Sequence, residues 1–299
     1  MTHSNATFVT STNVPRSSYI PSLLTGVTFI AANGLIAIVG TLGNLLVLIV
    51  IFVQIRFSTV SNILIANLAS VDLLTAFVLI PGGIYRHVCK RMGYCHVNKM
   101  FVLSHRILAQ FVVTAASTSL FVIAMQRFIA IAFPFRYKSL FTRKRAIACA
   151  VVTWTLGTLI TGIFHGFNIE YIQIISCILL TLVTFFLYIY IFSIALKHEK
   201  KIAKMQGSLS SRTAQLPWER KSAKTMAIVL GVFALCWVPS VVFYSVVQRD
   251  DWLYPRMQFW INTLYYLNVA LDPFIYCARS EKFRKSVKKL FKWVIGAHW

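Results

Sequence analysis

Apolar residues gather along this chain in seven long stretches with short polar connections, at about 29–53, 63–84, 101–125, 146–164, 172–196, 226–247 and 257–278. Each is rich in Leu, Ile, Val, Phe and Ala, and a helical bilayer crossing takes roughly 20 such residues. The pattern predicts an all-α membrane protein, with seven spans forming one domain over 29–278 behind a tail over 1–28. Beyond Tyr276 the pattern changes. Phe283, Val287, Leu290 and Val294 recur at helical spacing, and Lys282, Arg284, Lys285, Lys288, Lys289 and Lys292 fill the positions between. That alternation predicts a short amphipathic eighth helix lying on the membrane, within 279–299. The stretch Gly207–Thr213 reads as a flexible loop between the inner ends of spans 5 and 6. Neither half of the chain repeats the other, which argues against inverted-repeat transporters.

Composition agrees. Charged residues are 13% of 299, about half the usual share in soluble domains, and mean hydropathy is +0.70. The net charge of +22 raises a nucleic-acid reading, which the placement of the cations removes. Twenty-one Lys and Arg fall in the connections between spans 1 and 2, 3 and 4, 5 and 6, and in the C-terminal segment; eight fall on the opposite side. Cations favour cytoplasmic loops, so the N-terminus is expected outside the plasma membrane and the C-terminus inside. The basic inner segments should also attract anionic membrane lipid. No basic n-region precedes an apolar core in the first 28 residues, so span 1 is expected to serve as the entry signal. The sequon at Asn5 falls on the outer side and is a candidate glycosylation site. Cys89 and Cys95 share the outer connection before span 3, where they either pair or stay free thiols.

Polar residues inside the spans carry the chemistry. Arg127 closes span 3, where a cation is costly unless function or the water interface holds it. Asp72 sits in the middle of span 2 and Asn44 in the middle of span 1. Asn268, Asp272 and Tyr276 repeat every fourth residue and so share one face of span 7. A polar cluster among spans 1, 2 and 7 would satisfy them, either as interhelical hydrogen-bond glue or as a switch. Two nearby acids resist being ionised together, which favours the switch for Asp72 and Asp272. Pro239 lacks an amide N–H and predicts a kink in span 6, with Phe233 and Trp237 on one face below it. For those aromatics the alternative is simple core packing.

Gly43-Asn44, the run Asn67–Asp72, Arg127 with its neighbours, the run Cys236–Pro239 and Asp272-Pro273 through Tyr276 occur in an order that resembles the rhodopsin-like (class A) G-protein-coupled receptors. The resemblance covers about 29–292 and implies an extracellular ligand and a heterotrimeric G protein entering between spans 3, 5 and 6. It implies that Arg127 is a switch residue restrained by acids, with Tyr188 and Tyr276 approaching it in the active state. Here the neighbouring acid is replaced by Gln126, followed by Phe128, while Glu219 stands at the matching place on span 6. One restraint of two implies raised basal activity. The resemblance makes Phe233, Trp237 and Pro239 the hinge of span 6. It also makes Asn44, Asp72, Asn268 and Asp272 a water- and sodium-filled pocket. Asp272 replaces the usual Asn and Ala116 the usual Ser, so one sodium ligand is missing. Arrestin control is an expectation for Ser208–Thr213, Ser280 and Ser286.

The outer half departs from that pattern. Val102 replaces the usual span-3 Cys, the loop between spans 4 and 5 shrinks to about His165–Tyr171, and Leu180 replaces the span-5 proline. This is similar to melanocortin-type receptors and their lipid- and adenosine-binding relatives, without their ligand residues. Ala109 stands where the resemblance places the acid for an amine, and Tyr266 where it places a retinal lysine, so amines and a retinal cofactor are not expected. Arg86, Lys99, His105 and Arg106 form a basic mouth with Gln110 a turn deeper. It would concentrate an anionic lipid, nucleotide or carboxylate. Alternatively Arg106 snorkels or pairs with Glu170, Asp250 or Asp251, and the ligand is a neutral peptide or small lipid. A channel or transporter using Asp72 and Asp272 as a cation path is the competing class. An enzyme is not expected, because the scattered histidines form no catalytic set.

Overall fold

A backbone in hydrocarbon finds no water to bond, so an apolar run satisfies its own N–H and C=O groups by becoming a helix. The computed structural model describes residues 22–92, 95, 97–167, 170–206, 231–232, 235–247, 251, 253–294 and 296, and these are helical almost throughout. Span 1 is α1 (Leu23–Ile49) continued by a π-helical turn, Val50–Ile55. Span 2 is α2 (Val60–Leu74), a second π-helical turn (Thr75–Leu79) and α3 (Ile80–Met92). Span 3 is α4 (Lys99–Ala132), followed by the short α5 (Pro134–Leu140). Spans 4 and 5 are α6 (Arg143–Gly166) and α7 (Glu170–Gln206). The described outer part of span 6 is α8 (Leu235–Val246), span 7 is α9 (Tyr254–Arg279), and α10 (Glu281–Val294) follows.

Local chemistry starts the helices. Ser22, Thr59, Asn98 and Thr142 each accept a hydrogen bond from a backbone N–H of the following turn, satisfying donors that a helix leaves open. Between spans 1 and 2 the chain reverses through Arg56 and Phe57, both left-handed (φ 53° and 49°).

Among the described residues, five helices are long and apolar enough to cross a bilayer by themselves. Their outward faces, for example Leu24, Leu35, Leu42, Phe52 and Leu179, are exposed apolar surface suited to lipid. α4 is the central helix, packed against α2, α6 and α7, while α1 packs along α9. Small residues set the α1–α9 approach. A Cβ on Gly43 would lie 2.8 Å from Pro273 Cγ, and one on Gly40 would lie 3.3 Å from Val269 Cγ1. Such residues let membrane helices come close where nothing larger fits.

The helices run past several sequence boundaries. α1 begins at Leu23, inside the stretch expected as tail; α3 extends to Met92 and α7 to Gln206. Only residues 167–169 separate α6 from α7, a shorter connection than the sequence pattern indicated. α10 buries Phe283 and Leu290 and rests against the inner end of span 1, where Lys282 Nζ donates to Ser58 Oγ at 3.2 Å. Asn5, the Gly207–Thr213 stretch, Glu219 and Phe233 lie outside the described residues.

Candidate functional site

Three polar sites follow one another through the bundle. The outermost is a cavity of about 460 Å³ between spans 2, 3, 5, 6 and 7. Arg86, His105, Arg106, Ala109, Gln110 and Tyr266, the residues singled out in the sequence, all line it. Lys99 does not. Trp237, Gln173 and Ser240 line it as well. Among the described residues lining it there is no carboxylate.

His105 organises the mouth. Its Nε2 lies 3.0 Å from the carbonyl oxygen of Leu79, and its Nδ1 lies 3.1 Å from Arg86 Nη1. A carbonyl only accepts and a guanidinium only donates. Nε2 therefore carries the proton, and neutral Nδ1 accepts from Arg86. The sequence leaves room for this: a Cβ on Gly82 would stand 2.7 Å from His105 Cδ2. Arg86 is thus held by an uncharged partner, and its charge is not cancelled there. Of the acids considered as partners for Arg106, Asp251 is absent from the described lining and accepts from Leu253 N at 3.0 Å; the Glu170 side chain and Asp250 lie outside the described residues.

Deeper, Asn44, Asp72, Asn268 and Asp272 are all buried. Asn44 Nδ2 donates to the Gly40 carbonyl at 3.0 Å and to Val269 O at 2.9 Å, tying span 1 to span 7. Asn268 Nδ2 donates to Asp272 Oδ2 at 3.2 Å, and the Asp72 and Asp272 carboxyls lie close enough to interact electrostatically. Asp72 Oδ2 has no hydrogen-bond partner among the described residues. A sodium ion would need several oxygens here. Ala116 contributes only a buried methyl, and the nearby Ser119 hydroxyl already donates to Ala115 O at 2.7 Å and accepts from Asn67 at 2.9 Å. Ala116 thus withholds the hydroxyl that the resemblance expects there, and no role is assigned to a sodium ion.

The third site is the inner end of span 3. Gln126 is buried, and its Nε2 donates to Tyr137 Oη at 2.5 Å and Ser61 Oγ at 3.3 Å. It turns to α5 and α2, not to Arg127. Arg127 Nε has no hydrogen-bond partner among the described residues, and Tyr188 and Tyr137 are the groups that interact electrostatically with it. Tyr188 is buried in a small cluster with Ala124 and Ile191, against which Phe128 packs. Trp237 meets Tyr265 edge-on at 5.2 Å. Cys89 and Cys95 form a disulfide, 5.0 Å between Cα atoms.

Sequence reasoning missed two networks. Asn67 Oδ1 accepts from Trp154 Nε1 at 2.9 Å while its Nδ2 donates to Ser119, joining spans 2, 3 and 4. Gln173 on span 5 donates to Thr114 Oγ1 at 2.9 Å and Thr161 Oγ1 at 3.0 Å, joining spans 3, 4 and 5. A glutamine inside an apolar span was the available signal.

Comparison with known proteins places this architecture. The family described as "7 transmembrane receptor (rhodopsin family)" matches residues 43–170 and 163–276. The chain is 30% identical to Trace amine-associated receptor 13c of Danio rerio over 282 residues, covering 83% of this chain and 81% of the relative. It is 27% identical to the Histamine H2 receptor of Canis lupus familiaris over 283 residues, 86% and 77% of the two chains. With the Alpha-1A adrenergic receptor of Oryzias latipes it shares 24% over 320 residues, 89% and 66%. The seven-span order and the family match agree, and the chain belongs to the rhodopsin family of seven-transmembrane receptors: a multi-pass plasma-membrane receptor, not an enzyme, of a class that couples an extracellular ligand to a heterotrimeric G protein.

Proposed function

We propose that this receptor answers to a ligand bearing an anionic group and not to an amine, and passes the signal through Arg127 to its G protein. One observation carries the ligand reading: the described lining of the outer cavity holds Arg86 and Arg106 and no carboxylate. A desolvated ammonium there would meet like charge with no carboxylate in the described lining to balance it, whereas an acid would meet a guanidinium presenting a planar fork of donors. The relatives named for histamine, trace amines and adrenergic ligands share the fold. Ala109 is a cavity-lining methyl at the place where the family resemblance puts the amine-binding acid. The likeness of the outer half to melanocortin- and lipid-type receptors rests on Val102, Leu180 and the short connection after α6, and it favours an open mouth suited to amphipathic acids.

For the inner half, the reading is a partly unlocked switch. Gln126 is engaged with Tyr137 and Ser61, which leaves Arg127 without an adjacent acid. Asn44, Asp72, Asn268 and Asp272 form the polar relay between cavity and switch, with Tyr188 and Tyr276 beside it, and Trp237 and Pro239 carry the hinge of span 6. The test is second-messenger output in cells exposed to matched libraries of organic acids and organic amines, with Arg127→Ala at equal surface level. Activation by acids, lost in Arg127→Ala, is the expected result. Activation by amines alone would sink the ligand reading.

A further inference from the structure

The inner wall of the outer cavity is built differently from its mouth. Gln173, 2% exposed, directs Nε2 toward the carbonyl oxygen of Gln110 (3.3 Å) and the hydroxyls of Thr114 (2.9 Å) and Thr161 (3.0 Å). The orientation of that amide follows from its neighbours. The Gln110 carbonyl can only accept, and the Thr114 hydroxyl spends its proton on the same carbonyl at 2.9 Å, so both require the nitrogen. Oε1 of Gln173 must point the other way, and it has no partner among the described residues. Gln110 Oε1 is likewise buried with no partner among the described residues, and so is Ser240 Oγ. All three side chains line the cavity.

Buried polar atoms are nearly always hydrogen-bonded, and an unmet acceptor costs its desolvation without return. The two unmet amide oxygens and the Ser240 hydroxyl, all on side chains that line the cavity, are acceptors awaiting donors. Gln110 stands five residues along α4 from His105, about 7.5 Å deeper along the helix axis. We infer that the ligand is bifunctional: an organic acid whose far end carries an uncharged hydrogen-bond donor, a hydroxyl or an amide N–H, received by Gln110 and Gln173 with Ser240 beside them. An ammonium group is the wrong donor, because no carboxylate in the described lining balances it. This inference rests on the acid-binding reading of the same cavity and adds the second recognition point.

The test uses the purified full chain in nanodiscs and three matched probes: phenylpropanoate, its para-hydroxy analogue and its para-methoxy analogue, titrated by calorimetry. All three carry the acid; the hydroxyl can donate and the methoxy group can only accept. The para-hydroxy acid should bind about tenfold tighter than the para-methoxy acid, the equivalent of one well-made hydrogen bond. Gln173→Met with Gln110→Met should erase that preference, leaving the para-hydroxy and para-methoxy acids with equal affinities. Arg86→Gln should weaken all three alike. Equal binding of the three probes to the native chain, still weakened by Arg86→Gln, would overturn the donor subsite and leave the acid site standing. Failure of every probe to bind, or indifference to Arg86→Gln, would overturn the acid-site reading beneath it. If the double variant does not fold, Gln173→Glu alone provides the check. Its carboxylate should repel all three acids, and unchanged binding would remove Gln173 from the site.

Discussion

Gln126 Nε2 donates to the Tyr137 hydroxyl at 2.5 Å, so the residue beside Arg127 is held by α5 and cannot serve as its counter-charge. An acid at 126 would bring a negative charge next to the guanidinium. Gln126→Asp should therefore lower ligand-free signalling, read as basal second messenger at matched surface expression. An unchanged or higher basal level would refute the unlocked-switch account.

Tyr137 has its own expected effect. Removing its hydroxyl leaves the buried Gln126 amide short of an acceptor, a loss of about 1 kcal/mol for a hydrogen bond of this kind. Tyr137→Phe should lower the melting temperature of the purified receptor. A melting curve identical to the native one would mean that the bond contributes nothing to folding.

Gly82 is predicted to matter through His105. A Cβ placed 2.7 Å from His105 Cδ2 forces the ring to shift, and Arg86 shifts with it. Gly82→Ala keeps every charge in the cavity, yet should weaken acid binding by about tenfold, the equivalent of one misplaced hydrogen bond. Calorimetric titration with phenylpropanoate gives the answer, and native affinity in the variant would show that the geometry at the mouth is not needed.

Ala109→Asp reverses the charge logic. A carboxylate in the cavity lining would offset the two arginines and supply the partner that an ammonium lacks. The variant should lose acid binding and gain measurable histamine binding. Retained acid binding with no amine binding would place recognition elsewhere than the cavity.

At the inner face, Lys282, Lys285 and Lys289 line a groove together with Gln54 from span 1. Glu281 shares the groove and pairs with Lys285 at 3.0 Å, while near an anionic membrane a lysine contributes about 1 kcal/mol of attraction. Replacing the three with Glu should abolish the preference of the purified receptor for phosphatidylserine over phosphatidylcholine, measured as co-purifying lipid. The preference should survive if α10 only packs against the bundle.

The sequence alone made the spans legible, because alternation of long apolar runs with basic connections is a one-dimensional signal. It also grouped Arg86, Lys99, His105 and Arg106 as a basic mouth with Gln110 a turn deeper, and of these all but Lys99 line the cavity. It did not reveal that His105 accepts from Arg86, because that depends on which nitrogen faces the Leu79 carbonyl. Nor did it pair Gln126 with Tyr137, which requires α5 to fold back under α4. The Gln173 and Asn67 networks stayed hidden for a related reason. Each joins three helices, and which faces meet is set by packing, not by periodicity within one span. Val50–Ile55 and Thr75–Leu79 read as ordinary apolar helix, and their π-helical turns leave no mark in the hydrophobic pattern.

The most direct test of the central claim compares two ligands that differ only in the sign of their charge. The melting temperature of the purified full chain would be measured with phenylpropanoate and with phenylpropylamine at equal concentration. The acid should raise it and the amine should leave it unchanged, with the acid's effect absent in Arg86→Gln. Stabilisation by the amine equal to or greater than that by the acid would contradict an anion-recognising cavity.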